Sequence, residues 1–136
     1  MRSSVSALLR AGFGERLSTM PRGLNTPLYS NYDASGVEIS GGEAQKIALA
    51  RALYKAEAGD PPAPFIVLDE PTVGLDPVAR DELLDELYNF MQSENHSVLI
   101  SSHITGDLEK ICDYIAFIHE GKLVFFEEKD GLGEKY

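Results

Sequence analysis

The sequence contains a single cysteine, Cys112, among its 136 residues. One cysteine excludes an internal disulfide and is typical of proteins of the reducing cytosol. No apolar run reaches the ~18 residues of a membrane-spanning helix, and no signal-peptide pattern opens the chain. Internal repeats, low-complexity segments and heptad patterns are absent as well. We therefore expect an ordinary globular domain with no membrane span of its own.

Basic residues are also few. Lys and Arg number 12 against 22 Asp and Glu, which gives a formal charge of −10. The basic residues are scattered rather than clustered, so the sequence predicts no nucleic-acid surface. An apolar content of 43% and a charged content of 25% are those of a soluble globular protein.

The strongest local pattern is Phe65–Leu68, four apolar residues that run directly into the adjacent carboxylates Asp69 and Glu70. Because Pro64 and Pro71 bound this run, it predicts a short strand buried on both faces. The carboxylates should then emerge at its C-terminal edge, where open α/β sheets bind ligands. Neighbouring strand residues point to opposite faces, so one carboxylate would hold a metal through water and the other would face a second partner, such as an attacking water. This layout indicates metal-dependent phosphoryl transfer, and a solvated acidic turn is the alternative.

A second pattern lies upstream, in the segment Ile39–Gln45. Ser40 is a favourable N-cap residue, and Glu43 three positions later completes a predicted capping box. Gly41 and Gly42 at the helix start leave backbone N–H groups open to an anion, which the helix dipole also favours. The segment therefore predicts a helix start that faces phosphate, although Ser-Gly-Gly also occurs as a simple cap.

The remaining patterns predict scaffold. Residues 3–11 are predicted to be helical, and residues 18–38 to form an ordered loop. Asp76 and Pro77 predict the start of a further helix. Its predicted apolar face consists of Val78, Leu84, Leu87, Tyr88 and Met91. Another helix is predicted after Thr105, followed by a hairpin of strands 114–118 and 122–126 and a short helix from Glu127.

These motifs, taken in order, resemble the ATP-binding cassette (ABC) ATPases. Ile39–Gln45 resembles the family's signature motif, and Asp69–Glu70 resembles its carboxylate strand, Walker B. Pro71–Thr72, Leu75–Asp76 and His103 then follow in the family's order. The resemblance extends from about residue 3 to the end of the chain. It implies the α/β class, specifically a partial P-loop NTPase (ABC ATPase) fold with parallel core strands, flanking helices and a C-terminal β-hairpin.

The resemblance also implies a division of the chain. Residues 1–38 would be a remnant of the helical subdomain and loop, and residues 39–136 the C-terminal part of the ATPase core. Ser40, Gly41 and Gly42, with Glu43 in the same motif, would contact the γ-phosphate of ATP held by a partner subunit. The loop that ends in Asp76 would cross to that partner.

The catalytic roles implied by the resemblance fall on three further residues. Asp69 would hold Mg²⁺ through water, and Glu70 would polarise the attacking water. His103, after the apolar strand 98–102, would contact the γ-phosphate.

The implied cofactors are therefore ATP and Mg²⁺, and the implied partners are a second ABC ATPase subunit in a head-to-tail dimer and a transmembrane permease. Such a subunit would be cytoplasmic, at the inner face of the membrane. Chromosome-organising SMC-type ATPases carry long coiled coils, which have no counterpart in this sequence. Ribosome-acting cassette proteins usually carry Asn-His where this chain has Val73–Gly74. The transporter branch is therefore the closest match.

The sequence departs from the family at one decisive point, because the phosphate loop, G-x-x-x-x-G-K-[ST] (Walker A), is absent. The only Gly-Lys pair, Gly121–Lys122, is followed by Leu123, and Ala116 stands where the first glycine belongs. The family's glutamine between the phosphate loop and the signature is missing as well. The chain thus resembles the C-terminal half of a cassette, predicted to be inactive when isolated. Three functions stay open: a portion of a transport ATPase, a non-catalytic interaction module, and an inactive gene remnant.

Two parts of the chain resemble different branches of the family. The segment 21–54 resembles cassettes fused to an exporter's membrane domain, whereas the segment 74–136 resembles stand-alone cassettes of ABC-2-type transporters. Their meeting point would be the shared run Leu68–Thr72. This difference suggests a hybrid or truncated gene.

Overall fold

The computed structural model describes residues 3–135, which form two compact units. One unit ends at Ser101 and the other begins at Ser102. The predicted division at residues 38 and 39 concerns family subdomains and stays a prediction.

The first unit combines four helices with a pair of parallel strands. In chain order, its elements are α1 (Ser4–Arg10), α2 (Gly14–Ser18), a 3₁₀ turn (Gly23–Asn25), α3 (Gly41–Ala58), β1 (Phe65–Asp69), α4 (Pro77–Met91) and β2 (Ser97–Ser101). The strand β1 pairs in parallel with β2, from Phe65 opposite Ser97 to Asp69 opposite Ser101. Between α2 and α3, an isolated bridge from Leu28 to Val37 orders the predicted loop. The parallel strands and flanking helices therefore form as the sequence predicted.

The core of the first unit lies where the long helices meet the sheet. α3 contacts both α1 and β1, while α4 contacts β2. The buried side chains of these helices are Leu49, Ala50, Leu53 and Ala56 from α3 and Ala79, Leu83, Leu84, Leu87 and Phe90 from α4. The predicted apolar face of α4 was wrong at Val78 and Tyr88, which are exposed.

The prediction that β1 is buried on both faces was wrong. Ile66 is buried, but Phe65 and Val67 on the opposite face are 54% and 62% exposed. Leu99 on β2 lies on the same open face and is 57% exposed. The helices α3 and α4 cover one face of the two strands, and no other strand of residues 3–135 pairs with β1. The strand therefore has an open face and an open edge, which we call the open side of β1.

A cluster of charged groups joins three helices of the first unit. Arg10 of α1 contacts Glu57 of α3 at 2.8 Å and Glu86 of α4 at 2.5 Å. The side chains of Glu57 and Glu86 are only 8% and 13% exposed. Hydrogen bonding to Glu57 is the main cause of the raised pKa of Arg10. The short α1 is thus fixed to α3 and α4 by charged hydrogen bonds as well as by packing.

The second unit contains a hairpin flanked by two short helices. Its elements are α5 (Thr105–Ile111), β3 (Tyr114–His119), β4 (Lys122–Glu128) and α6 (Lys129–Lys135). β3 and β4 pair antiparallel with an irregularity after Phe117, and this pairing confirms the predicted hairpin. Cys112 is half-buried after α5, and burial raises the pKa of its thiol. None of the helices within residues 3–135 combines the length and apolar character needed to cross a bilayer.

Candidate functional site

The first candidate feature is the start of α3. Ser40 is its N-cap residue, and the Ser40 Oγ accepts a hydrogen bond of 3.2 Å from the Glu43 N–H. In return, Glu43 Oε2 accepts the Ser40 N–H at 2.7 Å. The predicted capping box is therefore confirmed. It fixes the direction in which the first N–H groups of the helix point.

The other oxygen of Glu43 is also engaged. Glu43 Oε1 lies 3.0 Å from Arg16 Nε of α2, at ion-pair distance. Arg16 Nη2 in turn donates a hydrogen bond of 2.9 Å to the backbone carbonyl of Glu38. Both carboxylate oxygens of Glu43 are thus used within the chain. The Glu43 side chain therefore binds both the N-cap residue of α3 and Arg16 of α2.

An open cleft of about 670 Å³ lies beside this helix start. Its walls are the first two turns of α3 and the loop 73–76. A Cβ added to Gly42 would stand 3.4 Å from Leu75 Cδ2 and 3.9 Å from the Gly74 carbonyl oxygen. A Cβ added to Gly41 would meet nothing within 4 Å. Gly42 therefore packs against the loop, whereas Gly41 faces open space.

The loop from Glu70 to Asp76 is built from consecutive turns. Val73 N–H donates to the Glu70 carbonyl and Leu75 N–H to the Thr72 carbonyl, each at 3.2 Å. Gly74 has a φ of +76°, a conformation that strongly favours glycine. Thr72 is fully buried and Leu75 is 8% exposed. Thr72 appears in the sequence only as part of the Pro71–Thr72 motif, but its burial shows that it anchors this loop.

Asp76 ends the loop and caps the next helix. Its Oδ1 accepts hydrogen bonds from Val78 N–H at 3.0 Å and Ala79 N–H at 3.1 Å. The hydrogen bond from Ala79 is the leading cause of the lowered pKa of Asp76, and the positive charge of Lys46 on α3 acts in the same direction. The carboxylate is therefore held ionised at one wall of the cleft. The structure thus brings together the predicted site residues Ser40, Gly41, Gly42, Glu43 and Asp76.

The two adjacent carboxylates lie at the C-terminal end of β1, as predicted. Asp69 is the last residue of the strand, while Glu70 follows it with a φ of +47°. The predicted strand alternation therefore fails at Glu70, because this residue has already left the strand. A left-handed conformation costs a non-glycine residue on the order of 1–2 kcal/mol, and such strain is common at functional sites.

Ser101 of β2 contacts both carboxylate residues. Its hydroxyl donates a hydrogen bond to Asp69 Oδ1. The Glu70 N–H donates to Ser101 Oγ at 3.1 Å and also to the Ser101 carbonyl at 3.1 Å. No motif in the sequence pointed to this residue. Parallel pairing of the two strands, which sets Ser101 opposite Asp69, was the available signal.

The oxygen donors at this edge suit Mg²⁺ that arrives with a nucleotide. Within residues 3–135, no group of three or more His, Cys, Asp and Glu side chains is arranged to hold a metal ion. Mg²⁺ is usually bound through one or two carboxylates together with water and substrate phosphates. Asp69 can supply such a carboxylate, whereas the phosphates would have to come from the nucleotide. The donor set therefore fits Mg²⁺ bound together with a phosphate ligand.

His103 lies in the second unit and is exposed. In the adjoining turn, Ser102 Oγ accepts a hydrogen bond of 3.1 Å from the Ile104 N–H. The predicted proximity of His103 to the phosphate site stays a prediction.

The fold has a clear counterpart among solved structures. A bacterial Atm1-family ABC exporter with ATP bound matches 99% of this chain with a TM-score of 0.75 and 23% identity. The chain covers 22% of that protein. The fold is therefore a partial P-loop NTPase (ABC ATPase) fold, as predicted.

Curated relatives agree with this fold. The chain is 42% identical over 98 residues to the phosphate import ATP-binding protein PstB of Thermotoga maritima, covering 70% of this chain and 35% of that protein. It is 38% identical over 98 residues to the thiamine import ATP-binding protein ThiQ of Photobacterium profundum, covering 71% of this chain and 38% of that protein. No protein-family profile matches the chain. The chain belongs to the ATP-binding cassette ATPases and spans little more than a third of the length of these relatives.

Proposed function

We propose that the chain is a C-terminal portion of an ATPase subunit that couples ATP binding and hydrolysis to transport across a membrane. The two relatives described above are import ATP-binding proteins, while the structural counterpart is an exporter. This range supports transport as the general function and favours neither a direction nor a substrate.

One observation carries this proposal: the cleft between the start of α3 and the loop 73–76. The first N–H groups of a helix have no partner within it, and here the N–H of Glu43 is already bonded to Ser40 Oγ. Gly41 and Gly42 thus present backbone N–H groups at a helix N-terminus, a favourable environment for phosphate. We assign Ser40, Gly41, Gly42 and Glu43 to the γ-phosphate of an ATP held mainly by a second subunit.

The carboxylate edge would supply the catalytic groups. Asp69 would hold Mg²⁺ through water, Glu70 would orient the attacking water, and His103 would contact the γ-phosphate. Mg²⁺ would neutralise charge on the phosphates. Phosphoryl transfer depends mainly on positioning and electrostatic stabilisation, so the fixed backbone of Glu70 supports this role.

The proposed partners are a second ABC ATPase subunit in a head-to-tail dimer and a transmembrane permease. The cleft supports the first partner because it collects signature residues and Asp76 while the chain carries no phosphate loop. We place the subunit on the cytoplasmic side of the membrane, bound to the permease.

The missing phosphate loop favours a second candidate function. The chain could be a non-catalytic module that lends Ser40–Gly42 to a nucleotide site on another protein. The capping box supports this candidate because it forms entirely from residues of the first unit. The two functions differ in whether Glu70 of this chain takes part in hydrolysis.

Nucleotide assays on the chain and on a completed cassette test these functions. By calorimetry, we expect no micromolar ATP binding to the 136-residue chain, because a phosphate loop normally supplies the main phosphate contacts. A fusion to the N-terminal half of the Thermotoga maritima relative should gain Mg²⁺-dependent hydrolysis. In that fusion, Glu70→Gln should lower turnover by orders of magnitude while ATP still binds. Near-normal turnover of Glu70→Gln would contradict the catalytic assignment and favour the non-catalytic module.

A further inference from the structure

Ser101 connects the two adjacent acidic residues through one hydroxyl group. A serine hydroxyl has one proton to donate and two lone pairs that accept. The Ser101 hydroxyl donates its hydrogen bond to Asp69 Oδ1. Its oxygen can therefore accept a hydrogen bond through a lone pair, and it accepts one of 3.1 Å from the Glu70 N–H. One side chain thus satisfies a carboxylate oxygen and the backbone of the next residue. Both bonds lie within the first unit.

We propose that Ser101 is a positioning residue that holds Asp69 and Glu70 in one fixed arrangement at the end of β1. This inference rests on the proposed function, since it concerns the residues assigned to Mg²⁺ and water. Ser101 acts on the reaction through these two residues. We assign it no contact with a nucleotide.

The bond to Asp69 fixes the orientation of a carboxylate. With Oδ1 bonded to the Ser101 hydroxyl, the Asp69 carboxylate is held in one orientation at the edge where Mg²⁺ would bind. The pairing register supports this arrangement because Ser101 lies directly opposite Asp69. A shift of one residue in register would send the hydroxyl to the other face of the strands.

The bonds to Glu70 fix a backbone conformation that few residues adopt. Glu70 has a φ of +47°, and its N–H is shared between the hydroxyl and the carbonyl of Ser101. Such strained conformations persist where the surroundings determine them. Removing the hydroxyl takes away one of the two Ser101 acceptors of the Glu70 N–H, so the backbone of Glu70 should become less well held. The hydroxyl therefore acts on both partners at once.

The matched variants are Ser101→Ala, Ser101→Thr and Ser97→Ala. Ala removes the hydroxyl, whereas Thr keeps it and suits a strand. Ser97 lies at the other end of the same strand on the same face, opposite Phe65, so Ser97→Ala controls for the loss of a serine from β2. Ser101 is exposed, so the added methyl group of Thr has room.

Amide hydrogen exchange and NMR of the full chain test the proposal without nucleotide. In Ser101→Ala, we expect the Glu70 amide to exchange about tenfold faster, while other β1 and β2 amides stay within about twofold. The side-chain carboxyl ¹³C signal of Asp69 should shift in Ser101→Ala. Both readouts should return to wild-type values in Ser101→Thr and stay unchanged in Ser97→Ala.

Two results would overturn the proposal. An unchanged Glu70 amide in Ser101→Ala would show that the carbonyl alone is sufficient. Equal acceleration of all β1 and β2 amides would show that Ser101 only stabilises the strand pair. If the fused cassette fails to hydrolyse ATP while Glu70 and Asp69 respond as expected, the proposed function fails and the positioning by Ser101 stands.

Discussion

Gly42 and Leu75 are neighbours across the cleft, since a Cβ added to Gly42 would lie 3.4 Å from Leu75 Cδ2. This spacing is at the short end of ordinary van der Waals contact, and the atom it meets is the end of the flexible Leu75 side chain, so a methyl group fits with at most a small shift of that side chain. The close approach therefore joins the start of α3 to the loop 73–76 by packing. A mutation at Gly42 can therefore change the proposed phosphate site while the stability of the protein is kept.

Gly42→Ala should keep the fold and damage the proposed site. Alanine is favoured over glycine in helices by up to about 1 kcal/mol, so the unfolding free energy should stay equal or rise. In the fused cassette, ATP hydrolysis should fall at least tenfold, because the methyl group occupies space at a backbone that phosphate must approach. Urea unfolding and ATPase assays measure the two effects. Unaltered hydrolysis would argue against phosphate binding at this helix start.

A comparison of Glu70→Gly with Glu70→Ala should measure the free-energy cost of the left-handed backbone conformation at Glu70. Both variants remove the side-chain contacts of Glu70, but only glycine adopts a φ of +47° without penalty. The Gly variant should therefore be more stable than the Ala variant by about 1 kcal/mol. Paired urea denaturation curves of the two proteins measure the difference. Equal stability would mean that Glu70 is not strained in solution.

The charge of Asp76 should make α4 sensitive to acid. Because the folded-state pKa of Asp76 is lowered, its stabilisation is present above the unfolded pKa of about 3.9. It is lost as the pH falls through the folded-state value. Asp76→Ala should be less stable than the wild type at neutral pH, with a smaller difference in strong acid. Asp76→Asn keeps the cap but cannot titrate, so its stability should vary less with acid. Thermal unfolding from pH 7 to pH 2 tests this, and parallel wild-type and Asn profiles would contradict it.

The open side of β1 should make the protein self-associate as salt rises. An unpaired strand edge beside exposed apolar residues invites pairing with another chain. The net charge of −10 opposes association at low salt. At physiological ionic strength, however, dissolved ions shorten the range of this repulsion to ~8 Å. Light scattering across a salt series should therefore show an average molecular mass that increases with salt concentration.

Val67→Lys should suppress this association, since Val67 is 62% exposed on the open face. Leu24→Lys is the matched control, with the same charge change at an exposed residue of the 3₁₀ turn, outside the two strands. If Leu24→Lys suppresses association equally, net charge rather than the open side of β1 is responsible. A wild-type monomer indifferent to salt would contradict the prediction entirely.

Local signals in the sequence predicted local structure well. The capping box of Ser40 and Glu43 and the N-cap of Asp76 were predictable because all their atoms lie within a few residues of each other. The hairpin of β3 and β4 was predictable because two β-rich runs flank a short turn. Such features depend little on the rest of the chain.

Features that depend on distant residues were predicted poorly. The apolar run from Phe65 to Leu68 suggested burial on both faces, but burial depends on which elements cover a strand. Here α3 and α4 cover only one face, so Val67 is exposed. Ser101 was missed because its importance comes from pairing with Asp69, 32 residues earlier. A serine within an apolar strand carries no local sign of such a partner.

The bonds of Arg10 have a consequence for the order of folding. Arg10 contacts Glu57 and Glu86, which lie 47 and 76 positions further along the chain. Closing such long loops costs conformational entropy before any contact compensates it, so these bonds should form late, after α3 and α4 have packed. Late contacts govern how quickly a protein unfolds rather than how quickly it folds. The seven-residue α1 should therefore dock last onto the folded first unit, and its detachment should be among the first steps of unfolding.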